Sequence, residues 1–192
     1  MKNPQRRYRD LLGPVARERK SRLQMTVERY HRATAEAKVE RLRWLQRVFP
    51  RGSALFVGLE PYLVFEEAKM TFLDGHFVGT LLLAFSFIEH VFAGILRARG
   101  FDSQARGGMK TIIKCLRANS LADAFLLDRA ERLRRSRNPF VHLKPFDSTA
   151  SESTLMNRSF SMGQDPFAAV EADARDALTL MYQVARGKGT AK

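Results

Sequence analysis

The sequence predicts an all-α protein, and three observations support this fold class. No stretch alternates apolar and polar residues for long enough to indicate a strand. Residues 15–48 contain no glycine or proline and are rich in residue types that favour helix, such as alanine, arginine, glutamate and leucine. Glu60-Pro61 and Asp165-Pro166 each place a proline at the first position of a predicted helix, which proline tolerates well.

The first 50 residues are predicted to form a long basic helical arm. They contain 14 Lys and Arg against 5 Asp and Glu, so they supply +9 of the formal net charge of +13. A solvated helix that packs along the body and an arm that binds nucleic acid or a partner both fit this composition. Trp44 and Phe49 are expected to anchor its end, before the break at residues 49–53.

Residues 51–192 are predicted to form the main domain, a bundle of about four to five helices. The first helix opens at Glu60-Pro61 and stops at Asp74-Gly75. Further helices are expected over residues 77–97 and 109–116, from a cap at Ser120 to about Arg137, and from residue 165 towards the end of the chain. Residues 104–108 are expected to form a flexible turn, and residues 146–164 a long polar loop.

The helix predicted over residues 77–97 is apolar nearly all round, so we expect other helices to pack against it. Its length approaches that of a membrane span, but Glu89 and His90 interrupt it, which favours a central buried helix and no membrane partner. Glu89 either faces solvent or supports an arginine cluster, because an unpaired carboxylate is costly to bury.

Composition limits the function classes. A sequence pI near 10.6 favours polyanionic partners. The single cysteine, Cys115, excludes an internal disulfide and fits a reducing compartment. The N-terminal segment is basic but has no apolar run of the kind found in a signal peptide, so we expect no export signal and a cytoplasmic protein. Four scattered histidines form no zinc motif, and no Gly-x-Ser-x-Gly motif appears. We therefore expect no metal site and no cofactor.

The most informative stretch is residues 132–144, which reads RLRRSRNPFVHLK. Its arginines lie on the last turns of a predicted helix. Proline disfavours helical geometry in the residue before it, so we expect the helix to break at Asn138-Pro139. His142 follows this break. Arginine stays protonated and can only bind negative charge, whereas histidine can transfer a proton near neutral pH. A cation beside a titratable imidazole suits phosphate chemistry.

The pattern of Arg137, Asn138 and His142 resembles the signature of the HEPN superfamily, small α-helical domains named for higher eukaryotes and prokaryotes nucleotide-binding. The order of predicted helices over about residues 55–187 is also similar, and the first 50 residues lie outside the resemblance. What it implies is a HEPN-like bundle that acts as a metal-independent endoribonuclease. Members are often toxins or antiviral effectors, and the resemblance implies a homodimer in which two motifs form one site.

The resemblance assigns catalysis to Arg137, Asn138 and His142. His142 would act as general base or acid, Arg137 would neutralise developing phosphoryl charge, and Asn138 would orient His142 or bind a phosphate oxygen. We expect contacts to the RNA backbone, without sequence reading, from three further arginines and a lysine: Arg132, Arg134, Arg135 and Lys144. Glu89 would be a supporting residue.

One departure and two alternatives accompany this interpretation. Family members paired with nucleotidyltransferase antitoxins carry a tyrosine two residues after the histidine, where this chain has Lys144, so that particular partnership is in doubt. An antitoxin or regulatory protein is nevertheless an expected type of partner. The first alternative is a non-catalytic HEPN-like module that binds RNA, a nucleotide or a protein. The second is a basic DNA-binding or architectural protein, for which deletion of residues 1–50 would abolish nucleic-acid binding.

Overall fold

The computed structural model describes residues 14–50, 58–141, 163 and 165–188. Within these ranges the chain forms helices and no strand, which confirms the all-α prediction. Seven α-helices are described: α1 Pro14–Val48, α2 Leu59–Asp74, α3 Phe77–Ala98, α4 Asp102–Ala105, α5 Met109–Ala118, α6 Ala124–Val141 and α7 Pro166–Gln183. A π-helical turn, Val184–Lys188, follows α7. The long polar loop predicted at residues 146–164 lies almost wholly outside the described residues.

The chain divides into two compact units, Met1–Arg41 and Leu42–Lys192. In the smaller unit, the described side chains from residue 21 onward are mostly exposed. The division falls before the predicted boundary at residue 50, because the end of α1 contributes to the core of the larger unit. Leu45 is buried there, and the ring of Trp44 lies 5.0 Å from that of Phe72. Phe49 packs against Phe65 and Tyr182, with ring centroids 5.5 and 4.9 Å away.

Helix α3 is the central helix of the larger unit. It contacts α2, α4, α5, α6 and α7, and eight of its side chains are buried. By length and composition alone α3 could cross a membrane, and no other helix of the described residues meets that test. The core helix of a globular domain meets the same test, and the contacts of α3 with five other helices agree with the predicted central packing.

The α2–α3 connection is a tight turn that Gly75 makes possible. Gly75 has φ 84°, a left-handed conformation that is costly for residues with a Cβ atom. The backbone N–H groups of Gly75 and His76 donate to the carbonyl oxygens of Phe72 and Thr71, respectively, and so end α2. The hydroxyl groups of Thr71 and the buried Thr80 lie 3.1 Å apart and link the two helices.

The start of α6 differs from the prediction. Helix α6 begins at Ala124, and the carboxylate of Asp123 accepts a hydrogen bond from the N–H of Leu126 at 3.1 Å. Asp123 therefore caps the helix, a role assigned to Ser120 from the sequence. Ser120 instead lies in the turn that ends α5, with a left-handed φ of 50°. Asp165 caps α7 as expected, by accepting from the N–H of Ala168 with Pro166 at the first position.

Helices α6 and α7 are joined by the buried side chain of Arg129. Its Nη1 donates to Gln183 Oε1 at 2.6 Å, and its Nη2 forms an ion pair with the carboxylate of Asp176 and donates to the Asp176 carbonyl oxygen at 3.2 Å. Most hydrogen-bonding groups of a buried guanidinium need partners, and these contacts supply them. Arg129 is therefore a structural residue at a helix interface.

Candidate phosphate-binding site at the end of helix α6

Helix α6 carries the arginine-rich stretch and continues further than predicted. It runs through Asn138 and Pro139 and ends at Val141, so the prediction of a helix end near Arg137 and a break at Asn138-Pro139 is wrong. The prediction followed from the loss of one backbone hydrogen bond at a proline and from its clash with the preceding turn, which together cost about 3 kcal/mol in a helix interior.

Two contacts stabilise the helix across Pro139. With its amide oriented to satisfy both polar atoms, Asn138 donates to the Arg134 carbonyl oxygen at 3.0 Å and accepts from Arg134 Nη1 at 3.2 Å. Phe140 packs against the hydrophobic core and holds the last turn in place.

Arg137 is directed from α6 towards the central helix. Its guanidinium carbon lies 4.3 Å from the ring centroid of the buried Phe85 on α3, a cation–π contact worth about 0.5–2 kcal/mol. Its Nε is buried and has no hydrogen-bond partner among the residues that the structure describes. A buried donor left in this state costs about 1–3 kcal/mol. The Arg137 side chain as a whole is only half-buried and keeps its charge, so a phosphate oxygen that contacts the guanidinium would be bound favourably.

Glu89 lies one helical turn after Phe85, on the same side of α3. Its side chain is half-buried, and within the described ranges it forms neither an ion pair nor a hydrogen bond. The helix spacing thus places Glu89 on the same side of α3 as Phe85, the ring that Arg137 contacts. Phe85 was not recognised from the sequence, although its four-residue separation from Glu89 was a usable signal.

Arg134 has a different environment from Arg137. Its Nε and Nη2 donate to the two carboxylate oxygens of Glu131 at 2.9 and 2.8 Å, and both side chains are mostly buried. The hydrogen bond from Arg134 lowers the pKa of Glu131 below its usual value of 4.5, and Arg135 adds a weaker contact at 3.3 Å. Together with the contact to Asn138, these bonds engage Arg134 within its own helix.

The remaining predicted residues fall into two groups. Arg132 and Arg135 are exposed on α6, where their cationic ends are accessible to an anion. His142 and Lys144 lie outside the described residues, and His142 is bonded to Val141, the last residue of α6. The described part of the motif therefore consists of Arg137, set over Phe85, and Asn138, paired with Arg134.

This arrangement can bind a phosphodiester group at the end of α6. An arginine that is fixed over an aromatic ring keeps its charge and offers planar N–H donors in a defined direction. Exposed Arg132 and Arg135 add positive potential along the same helix.

Comparisons of the chain with protein-family models, with curated proteins and with solved structures found no match.

Proposed function

We propose that the protein is a metal-independent endoribonuclease of the HEPN type, which cleaves RNA at a composite site formed by two protomers. The placement of Arg137 is the observation that carries the proposal. Its guanidinium is held over Phe85 with Nε buried and unpaired in the described part of the chain, and only four residues separate it from His142. An arginine held in this way is ready to accept a phosphate oxygen as its partner.

The reaction is a transesterification within the RNA strand, in which the phosphoryl group moves from the 5′ oxygen of the next nucleotide to the neighbouring 2′ oxygen. The 2′-hydroxyl oxygen attacks the adjacent phosphorus while the bond from phosphorus to the 5′ oxygen breaks. His142 accepts the proton of the 2′-hydroxyl, and a protonated imidazole returns a proton to the departing 5′ oxygen. The products are a 2′,3′-cyclic phosphate and a 5′-hydroxyl, and Arg137 stabilises the extra negative charge on the phosphoryl oxygens.

A dimer suits this reaction because two proton transfers occur on opposite sides of the phosphorus atom. One imidazole is poorly placed to serve both the attacking and the leaving oxygen. Two protomers with facing motifs supply two His142 side chains and two Arg137 guanidinium groups. Glu89, which lies one turn from Phe85, supports the site by adding a carboxylate that can orient a cation or an imidazole.

The physiological class that fits this activity is a toxin or antiviral effector, controlled by an antitoxin or a regulatory protein. Arg132 and Arg135 hold the RNA backbone without reading its sequence. Arg134 contributes by fixing Asn138 and Glu131, since its donors are engaged with those two residues.

A second candidate function is a non-catalytic HEPN-like module that binds RNA, a nucleotide or a protein. The observation that favours it is the mutual pairing of Asn138 and Arg134, because an amide bonded within α6 is less available to orient His142. This module would bind RNA in an Arg137-dependent manner and leave the RNA intact.

The two functions are separated by cleavage rates of variants in EDTA. We expect His142→Ala to slow cleavage of labelled RNA by about 10²–10⁴-fold. We expect Arg137→Ala to slow it by about 10²–10³-fold. The matched controls are His76→Ala and Arg97→Ala, which remove an exposed histidine and an exposed arginine outside the site and should cleave at the wild-type rate. Full activity of His142→Ala would end the ribonuclease proposal.

A further inference from the structure

A second group of basic residues lies on α5, which no motif in the sequence pointed to. Lys110, Lys114 and Arg117 follow one another at spacings of four and three residues, which places them on one face of the helix. All three are exposed. The opposite face of α5 is buried in the core through Ile112 and Leu116.

These residues line an open groove between α5 and α6 with a volume of ≈ 500 Å³. Helix α6 contributes Glu131 and Arg135 to the groove, and Ile113 and Ala118 complete its lining. Among the described residues, four cations and one carboxylate therefore line the groove. Since Glu131 already binds Arg134 and Arg135, its charge is largely compensated within α6.

The cations of the groove are not all satisfied by acidic neighbours. Arg117 forms an ion pair with Asp128 at 2.6 Å, and both side chains are at least half exposed, so the pair is weak and can open. Lys110 and Lys114 have no ion pair with any residue that the structure describes. The groove thus has an excess of positive charge at two exposed lysines.

The dimensions of the groove fit a chain with several phosphate groups. Lys110 and Arg117 are separated by seven residues of helix, or about 10 Å along the axis, which is longer than one phosphate group. A concave groove fits a strand better than the flat surface of a membrane. No aromatic side chain of the described residues lines it, so these residues offer no base stacking and binding depends on the RNA backbone.

Arg135 lines the groove and belongs to the arginine-rich stretch of α6. It lies two residues before Arg137, a spacing that places the two side chains on nearly opposite faces of the helix. The groove is therefore a basic surface separate from the contact of Arg137 with Phe85.

We propose that the α5–α6 groove, through Lys110, Lys114, Arg117 and Arg135, binds the phosphodiester backbone of single-stranded RNA. The proposal rests on the proposed function for the choice of RNA, whereas the groove itself is independent of catalysis. Binding of this type is insensitive to base sequence and strongly dependent on salt concentration.

The test uses fluorescence anisotropy with full-length protein and a fluorescent 2′-O-methyl RNA of mixed sequence, which lacks the nucleophile and cannot be cleaved. The variant is Lys110→Gln/Lys114→Gln, which removes two exposed charges and keeps good helix formers. We expect roughly tenfold weaker binding and a salt-dependence slope lower by about 1.4, since each contact with a single strand contributes about 0.7.

The matched control is Arg97→Gln/Arg99→Gln, which removes the same charge from exposed positions outside the groove. An equal loss of affinity in both double variants would overturn the groove proposal and leave only a general charge effect. Tighter binding of duplex DNA than of RNA, with the same lysine dependence, would also overturn it. Neither result depends on cleavage, so failure of the groove and failure of the ribonuclease proposal are distinguishable.

Discussion

Arg129 and Arg132 lie on the same helix but have opposite environments. The guanidinium of Arg129 is buried and bonded to Asp176 and Gln183 on α7, whereas Arg132 is exposed. A buried charge with several partners contributes to the native structure, and an exposed one contributes little. Because Arg129 is buried and Arg132 is exposed, Arg129 is expected to stabilise the fold, whereas Arg132 remains available to bind a partner.

We expect Arg129→Met to lower the free energy of unfolding by about 1–3 kcal/mol, because it removes hydrogen bonds between α6 and α7 and leaves the Gln183 amide without its partner. The change is measured by urea unfolding. Arg132→Met is the control and should change stability by less than about 0.5 kcal/mol. Equal effects of the two substitutions would show that the contacts of Arg129 do not stabilise the packing of α6 on α7.

The sequence was less informative about the roles of individual residues than about the helices or the fold class. The arginines of α6 share one residue type and close spacing, so their roles depend on the neighbours that tertiary packing provides. Arg137 and Asn138 were identified from their spacing to His142. The aromatic ring that Arg137 contacts belongs to Phe85 of α3, which is distant in the sequence. The sequence could not place Phe85 beneath Arg137, because helix packing determines that contact.

The helix ends show where local rules were sufficient. Asp165 and Pro166 started α7 as predicted, because the cap and the first-turn proline act within a few residues. At the end of α6 the same kind of rule was wrong. The local preference against helix before Pro139 is outweighed by the Asn138 amide and by packing of Phe140 on the core, and the latter contact is not local.

Ser120 provides a test at the scale of one element. It occupies the turn after α5 with φ 50°, while the N–H of Leu121 donates to the Leu116 carbonyl oxygen at 2.9 Å. This turn usually contains glycine, as it does at Gly75 and Gly100. Since a left-handed conformation costs a residue with a Cβ about 1–2 kcal/mol, we expect Ser120→Gly to stabilise the protein by up to about 1 kcal/mol.

Thermal unfolding followed by circular dichroism measures this effect. Ser120→Ala is the matched variant, because it removes the hydroxyl group and keeps the Cβ atom, and it should not stabilise the protein. A lower melting temperature for Ser120→Gly would contradict the role assigned to this turn.

At the scale of the whole molecule, the sequence predicted the fold class and the central helix. The continuous apolar surface of α3 identified it as the helix against which the others pack, and its contacts with five helices agree with this. The groove between α5 and α6 could not be predicted, because it depends on how two amphipathic helices are set side by side. The spacing of Lys110, Lys114 and Arg117 was the available signal.

The composite site makes a prediction about assembly. We expect sedimentation equilibrium to give twice the chain mass of 21.9 kDa, or 43.8 kDa, for the wild type and for His142→Ala. The variant should remain a dimer because His142 serves the reaction in this proposal and is not required for the interface. A monomeric wild type that cleaves RNA at full rate would contradict a site shared by two protomers.

The chemical nature of the cleaved ends tests the central claim most directly. RNA is incubated in EDTA with wild-type protein, and the ends of the products are identified by mass spectrometry and by end labelling. The proposed roles of His142 and Arg137 predict a 2′,3′-cyclic phosphate and a 5′-hydroxyl, which His142→Ala forms about 10²–10⁴-fold more slowly. A 3′-hydroxyl with a 5′-phosphate, formation of the products by His142→Ala at the wild-type rate, or uncleaved RNA with wild-type protein would contradict it.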